Sequence, residues 1–224
     1  MLDLARRYDF RYVHISTDEV YGESEVDELS PVNPSSPYSS SKASADLFVK
    51  SYIRTYGVDA LIVRPSNAYG PRQYPEKFIP KAIIRTIMGL HVPLYGDGTQ
   101  RRNWIYVEDL SRIIKDIAEN GKSGEIYNAA GSGTLENREV LAEIGKHMKL
   151  SIRRVEDRPG HDVIYAMRNT KLRYELTPFD KGIAITVDWY VKNEWWWRPL
   201  INDEYFKEDT PWNWDEPKQK NSDL

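Results

Sequence analysis

His14-Ile-Ser-Thr-Asp-Glu-Val-Tyr-Gly22 reads as a buried strand that ends in a hydroxyl and two carboxylates. Sixteen residues later comes Tyr38-Ser-Ser-Ser-Lys42, a phenol and an ammonium four residues apart. That spacing puts both on one face of a helix. Tyr12, Val13 and Ile15 are aromatic or β-branched, so Arg11 to Ser16 is predicted to be a strand. Because it is apolar on both faces, a central position in a parallel sheet is expected. The periodicity then predicts a helix from about Pro37 to Tyr56, with Ala45, Phe48, Val49, Tyr52 and Ile53 as its apolar stripe. Ser35 or Ser36 can cap it, Pro37 suits its first turn and Gly57 ends it. Ala60-Leu-Ile-Val63 follows as a second apolar strand. Strand, long helix and strand at this spacing make a βαβ unit with a right-handed crossover, which sets the class as α/β.

Outward from this unit the elements become shorter. Leu2 to Tyr8 reads as the end of a helix, Glu23 to Pro37 as a polar loop and Arg64 to Glu76 as another loop. Helices are predicted near 77–89, 109–119, 137–149 and 182–195, with short strands at 92–95, 104–107, 125–129 and 151–155. The composition shifts after about Tyr69, which divides the chain into residues 1–69 and 70–215, some later elements returning to the first part. Residues 216–224 read as a disordered tail.

The 224 residues are 40% hydrophobic and 29% charged, the balance of a soluble globular protein. Lys and Arg number 31 against 34 Asp and Glu, a net charge of −3, so nothing favours nucleic acid or an anionic membrane as partner. No stretch approaches the ~20 apolar residues of a membrane span, and the first residues lack a signal-peptide core. The chain has no cysteine, which excludes disulfides and thiolate metal sites, and no metal is expected. A cytoplasmic protein is expected. Seven Trp and fifteen Tyr are unusual, and five of the Trp lie between Trp189 and Trp212.

The chemistry follows from residue types. A nearby Lys42 ammonium favours the phenolate of Tyr38 and is expected to lower its pKa toward neutrality. Such a tyrosine can accept a hydroxyl proton as hydride leaves the same carbon. Thr17-Asp18-Glu19 offers a hydrogen bond, an acid and a base at the carboxyl end of a strand, where ligands of open α/β sheets bind. Taken alone, the first pair is equally a surface Tyr and Lys, and the second an ordinary acidic loop.

In sequence order, Ser16-Thr-Asp-Glu-Val-Tyr-Gly22, Tyr38-Ser-Ser-Ser-Lys42, Ser66-Asn-Ala-Tyr-Gly-Pro71, Pro75-Glu-Lys-Phe-Ile-Pro80, Arg102-Asn-Trp-Ile-Tyr-Val-Glu-Asp109 and Asp157-Arg-Pro-Gly-His-Asp162 form a set. The set resembles the extended short-chain dehydrogenase/reductases of the NAD-dependent epimerase/dehydratase family, and within them the nucleotide-sugar 4,6-dehydratases. The similarity runs from residue 2 to about residue 200. The Tyr/Lys pair marks the whole superfamily; the Thr-Asp-Glu triplet points to the dehydratases, since epimerases and decarboxylases usually carry small or hydroxyl residues at those two acidic positions. The resemblance implies a Rossmann-like parallel sheet, truncated here, with a smaller mixed α/β substrate-binding domain. It implies NAD as cofactor, beside Ser16, Tyr38, Lys42 and Ala68. It also implies conversion of a nucleotide-diphosphate sugar such as dTDP-glucose to its 4-keto-6-deoxy form. In that reaction Tyr38 takes the 4-hydroxyl proton, Lys42 holds the ribose, Glu19 removes the C5 proton, Asp18 protonates the leaving 6-hydroxyl and Thr17 binds the 4-oxygen. Thr17, Asn67, Lys77, Pro93, Tyr95, Arg102, Asn128, Arg158 and His161 match positions that hold the substrate. The family's dimer, packed through two long helices per subunit, implies a homodimer through the Pro37–Tyr56 helix.

Three departures stand out. Ala68 replaces an Asn that often contacts the cofactor. Arg102-Asn103 stands where Arg-Asp is usual. No glycine-rich turn precedes Thr17, and Gly96-Asp-Gly98 and Gly131-Ser-Gly133 lack the context and the third glycine of a dinucleotide site. The chain therefore reads as the C-terminal two-thirds of such an enzyme. Weak or no NAD binding, impaired turnover and an exposed edge at the Arg11–Ser16 strand are expected. Two alternatives stay open: another dehydratase or epimerase of the family, or a non-catalytic remnant that binds sugar nucleotide or pairs with a subunit.

Overall fold

The computed structural model describes residues 1–157, 164–202 and 204–210. Its elements in chain order are α1 (Leu2–Tyr8), β1 (Tyr12–Ile15), a 3-10 turn (Asp18–Tyr21), β2 (Ser24–Val26), α2 (Pro37–Tyr56), β3 (Ala60–Pro65), β4 (Asn67–Tyr69), α3 (Phe78–Ile87), β5 (Val92–Tyr95), β6 (Arg101–Tyr106), α4 (Val107–Asn120), β7 (Ile126–Ala129), β8 (Thr134–Glu136), α5 (Asn137–Gly145), β9 (Ile152–Val155), β10 (Ile164–Met167), α6 (Phe179–Lys192), α7 (Glu194–Trp197) and α8 (Glu204–Lys207).

The α2 boundaries follow from local chemistry. The Ser36 hydroxyl accepts from the Ser39 amide at 3.1 Å, and the Ser39 hydroxyl accepts from the Ser36 amide at 2.9 Å. This reciprocal cap satisfies donors that the first turn otherwise leaves open. Pro37 occupies the first turn, and Gly57 ends the helix with φ of 66°, a left-handed conformation that costs glycine little.

Helix α2 sends the chain back so that β1 and β3 pair in parallel, Tyr12 opposite Ala60 and Ile15 opposite Val63. Strand β7 adds to the far side of β3, giving a parallel sheet ordered β1-β3-β7. Alternation along β3 splits its side chains between two layers. Ala60 and Ile62 pack with Val49, Val58 and Ala5 on the α1/α2 face, whereas Leu61 and Val63 pack with Leu110, Ile113 and Ile117 of α4. Each large aliphatic buried here contributes roughly 1.5–3 kcal/mol.

As expected, β1 is an edge: among the described residues it pairs only with β3. Tyr12 and Ser16 direct their amides at Asp59 and Val63, so alternation turns the backbone groups of Val13 and Ile15 outward. A second sheet runs β2-β10-β6-β4, with β8 antiparallel to β6, and β5 pairs in parallel with β9. The main core lies beyond, where α3, α5 and α6 pack around Trp104, Tyr190 and Trp197.

Strands β2 and β4 lie in segments expected to be loops, and β8 and β10 in segments given no element. Three are only three residues long, and none of the four pairs with its sequence neighbour. Strand β6 begins at Arg101, earlier than expected, because Arg101 to Asn103 pair with β8. Helix α5 stops at Gly145, and the last long helix runs from Phe179 to Lys192 rather than from Gly182 to Trp195. Residues 216–224 fall outside the described residues. Among the described residues no helix is long and apolar enough to cross a membrane.

Candidate active site

The carboxyl ends of β1 and β3 open onto a cavity of about 420 Å³. It gathers Ser16, Thr17, Asp18, Glu19, Tyr38, Asn67, Ala68, Lys77 and Arg102, nine of the residues singled out from the sequence. They arrive from three places. The 3-10 turn after β1 carries the carboxylates, the first turn of α2 carries Tyr38, and the second sheet brings Asn67 from β4 and Arg102 from β6.

Thr17 is the cap of the 3-10 turn. Its hydroxyl accepts from the Glu19 amide at 3.3 Å and donates to Asp18 Oδ1 at 3.2 Å. Asp18 is buried, and its Oδ2 has no hydrogen-bond partner among the described residues. Burial, with the Glu19 carboxylate beside it, pushes the Asp18 pKa up from 3.8 to about 7; the Thr17 hydroxyl and Arg102 oppose the rise. A carboxyl that keeps its proton near neutrality, next to a second carboxylate, is the arrangement for separate acid and base roles.

Tyr38 and Lys42 do not relate as their spacing suggested. The Lys42 ammonium donates to the Ile15 carbonyl at 2.7 Å, on the open edge of β1. Tyr38, 54% exposed at the cavity mouth, is held above the ordinary tyrosine pKa. Partial burial is the main cause, followed by Glu19; Thr17 works against them and Asp18 adds to the rise. The expected lowering is corrected accordingly: the ammonium is hydrogen-bonded to a carbonyl, and the phenol is pushed up by burial and Glu19.

Asn128 stands apart from this group. It is fully buried on β7, away from the cavity. Its Oδ1 accepts from the Tyr21 hydroxyl at 2.8 Å and its Nδ2 donates to the Arg168 carbonyl at 3.0 Å, so both ends of its amide are engaged. Besides Asn67, the cavity is lined by Asn137, the first residue of α5. Its amide N–H is taken by the Gln100 carbonyl at 3.0 Å, which fixes the helix start beside Arg102. A polar residue opening a helix right after a short strand was the available signal. Gln73, Phe78 and Trp104 also line the cavity and were not foreseen. Pro93 and Tyr95 line a separate cavity of about 80 Å³ with Lys81; Phe78 is the wall common to both. Arg158 and His161 lie outside the described residues.

The departure at Asn103 has a physical reason. Its Oδ1 accepts from the Gly131 amide at 2.5 Å and its Nδ2 donates to the Gly133 carbonyl at 3.0 Å. An aspartate could take the first bond and not give the second.

The family model described as NAD dependent epimerase/dehydratase family matches residues 1–130. The dTDP-glucose 4,6-dehydratase of Streptomyces niveus is 43% identical over 212 residues, covering 89% of this chain and 63% of its own. The structure of the Bacillus anthracis dTDP-glucose 4,6-dehydratase in complex with NAD is similar with a TM-score of 0.84 and 40% identity, over 89% of this chain and 68% of that one. The Streptomyces venezuelae dTDP-glucose 4,6-dehydratase with NAD and TYD bound gives 0.81 and 42%, over 89% and 66%. The chain spans about two thirds of the length of the curated relatives it matches.

Proposed function

Because the chain belongs to the NAD dependent epimerase/dehydratase family, we propose that its site performs the 4,6-dehydration of a nucleotide-activated hexose, with dTDP-glucose as substrate and NAD as cofactor. The observation that carries this reading is the unlike pair of adjacent carboxyls, Asp18 holding its proton to about pH 7 beside Glu19.

In this reading Tyr38 takes the proton of the sugar 4-hydroxyl as hydride leaves C4, and Thr17 hydrogen-bonds the 4-oxygen. When bound, NAD would supply the hydride acceptor for C4 and the hydride donor for C6. Glu19 removes the C5 proton, which the neighbouring 4-ketone acidifies, and returns it to C5 as C6 is reduced. Asp18 gives its proton to the 6-hydroxyl, which departs as water. The sugar loses one water and undergoes no net oxidation. Arg102, Lys77, Asn67 and Asn137 supply the two cations and neutral donors that a diphosphate needs. Pro93, Tyr95 and Phe78 offer apolar walls for the base. Arg158 and His161 are assigned to the substrate by resemblance alone. Residues 1–69, with β7 and α4, form the cofactor side, and residues 70–215 mainly the substrate side.

The donors present (Ser16 and Thr17 hydroxyls, the Tyr38 phenol and the Lys42 ammonium) fit the nicotinamide ribose end of the cofactor. Among the described residues no glycine-rich turn opens a helix at the carboxyl end of β1, β3 or β7, so the diphosphate end finds no backbone cradle among them.

Calorimetric titration with dTDP, UDP and GDP tests the substrate class. dTDP is expected to bind tightest, and Arg102→Gln to weaken it by about tenfold or more, the worth of a lost charged hydrogen bond. Equal binding of the three nucleotides, or indifference to Arg102→Gln, would count against the reading.

A second copy of this chain is the proposed partner of α2. Its outward face exposes Leu47 (56%) and Phe48 (63%), and α1, which packs on α2, exposes Leu4. Neighbouring large apolar side chains of this kind on one helix are what a symmetric helix-pair interface buries. Phe48→Glu is expected to shift sedimentation from dimer to monomer and leave the circular dichroism unchanged; a parent chain that is already monomeric at the same concentration would rule the interface out.

A further inference from the structure

Beneath the cavity floor lies a buried polar chain that the proposed chemistry does not use. At its centre is Arg64 of β3, only 1% exposed. On one side its Nε and Nη2 reach Asp46 Oδ2 of α2 at 2.9 and 2.8 Å. On the other its guanidinium lies 4.5 Å from the centre of the Tyr21 ring, at the end of the 3-10 turn. Tyr21 continues the chain through its hydroxyl to Asn128, whose amide N–H points at Glu28 Oε1 at 3.3 Å. Asp46 Oδ1 faces His14 Nε2 of β1 at 3.3 Å.

A buried ion pair is a weak source of stability, because desolvating both charges cancels most of their attraction. Its better attested use is to fix how elements sit against each other. The two elements joined here are the two that carry the proposed chemistry. Asp46 is one turn past Lys42 and two past Tyr38 on α2. Tyr21 is three residues past Asp18 in the 3-10 turn. The planar guanidinium is suited to both contacts at once, a fork toward the carboxylate and a flat face toward the ring. A lysine has neither.

We propose that Arg64 is a positioning residue that locks the carboxylate-bearing turn Asp18–Tyr21 against the helix bearing Tyr38 and Lys42, and so sets the burial of Asp18 and its distance from the phenol. This rests on the reading that these groups form the active site, yet its test needs neither substrate nor cofactor. Asp18 is a reporter, because its pKa depends on burial and on Glu19, both fixed by how the turn sits.

The test is a carboxyl NMR titration of Asp18 in the full chain, with thermal unfolding in parallel, for Arg64→Lys, Tyr21→Phe and the control Ile117→Val. Tyr21→Phe keeps the ring over the guanidinium and loses only the bond to Asn128, so it remains informative if Arg64→Lys fails to fold. Arg64→Lys is expected to move the Asp18 midpoint down toward the ordinary carboxylate range by a pH unit or more, and Tyr21→Phe, which loosens only the far end of the chain, in the same direction by less. Ile117→Val, in the apolar layer under α4, is expected to lower the melting temperature and leave the midpoint alone. Network variants that melt earlier but titrate like the parent would overturn the proposal, since a merely structural role predicts that result. Failure of dTDP to bind the parent chain would overturn the functional reading and leave this one standing.

Discussion

Asp18→Asn is expected to make the protein more stable at pH 8, while removing the proposed acid. The sign follows from the direction of the shift. The Asp18 carboxyl is held at about 7 in the fold and starts from 3.8. Below both values each state carries the proton, and Asp18 contributes no difference. Between them the unfolded chain releases its proton and the folded chain does not, so stability falls as pH rises. Above about 7 the loss is complete, on the order of 4 kcal/mol for a rise of this size. Asparagine has no proton to lose and escapes the decline. Urea unfolding of parent and variant at pH 4, 6 and 8 should give curves that coincide in acid and diverge in base. Parallel curves across that range would show that Asp18 is not strained in the fold. The widening gap is the stability the chain gives up to keep an acid in a dry site.

Gly131→Ala is the most damaging small substitution expected. A Cβ there would fall within 3.0 Å of the carbonyl carbon and oxygen of Trp104 and of the Ile105 amide nitrogen. These are backbone atoms in the middle of β6, so no rotamer change relieves the clash. Relief requires the 130–133 loop to lift off the strand. That breaks the bonds from the Gly131 amide to Asn103 Oδ1 and to the Ser66 hydroxyl, and the bond between the Trp104 amide and Gly133. Overpacking plus three strained or lost hydrogen bonds comes to roughly 4 kcal/mol or more, a large share of a domain's stability. The variant should unfold at much lower urea or be recovered insoluble. Gly133→Ala is the control, because a Cβ there meets nothing within 4 Å. Equal midpoints for the two variants would refute the close-approach account.

The parts of the molecule that were legible from the sequence are those governed by neighbours along the chain. The α2 limits could be read because Ser36, Pro37 and Gly57 act locally. The edge position of β1 followed from the missing glycine turn. The unread strands, β2, β4, β8 and β10, owe their existence to partners far along the chain; Arg101 meets Glu136, and Tyr165 meets Ser24. The same limit explains the site. Asn128 and Asn137 are equivalent as letters, and only the packing shows which of them reaches the cavity. Four-residue spacing rightly put Tyr38 and Lys42 on one helix face, but the competing Ile15 carbonyl belongs to another element.

That carbonyl has a consequence for the chain as a solute. An open strand edge is a template on which a second strand can grow, and the outward groups of Val13 and Ile15 provide it. Lys42 occupies one of those acceptors and places a charge over the edge. A charge set over an edge acceptor is the kind of group that hinders the addition of a second strand. Neutralising it would uncover that ladder position next to the exposed side chain of Ile15.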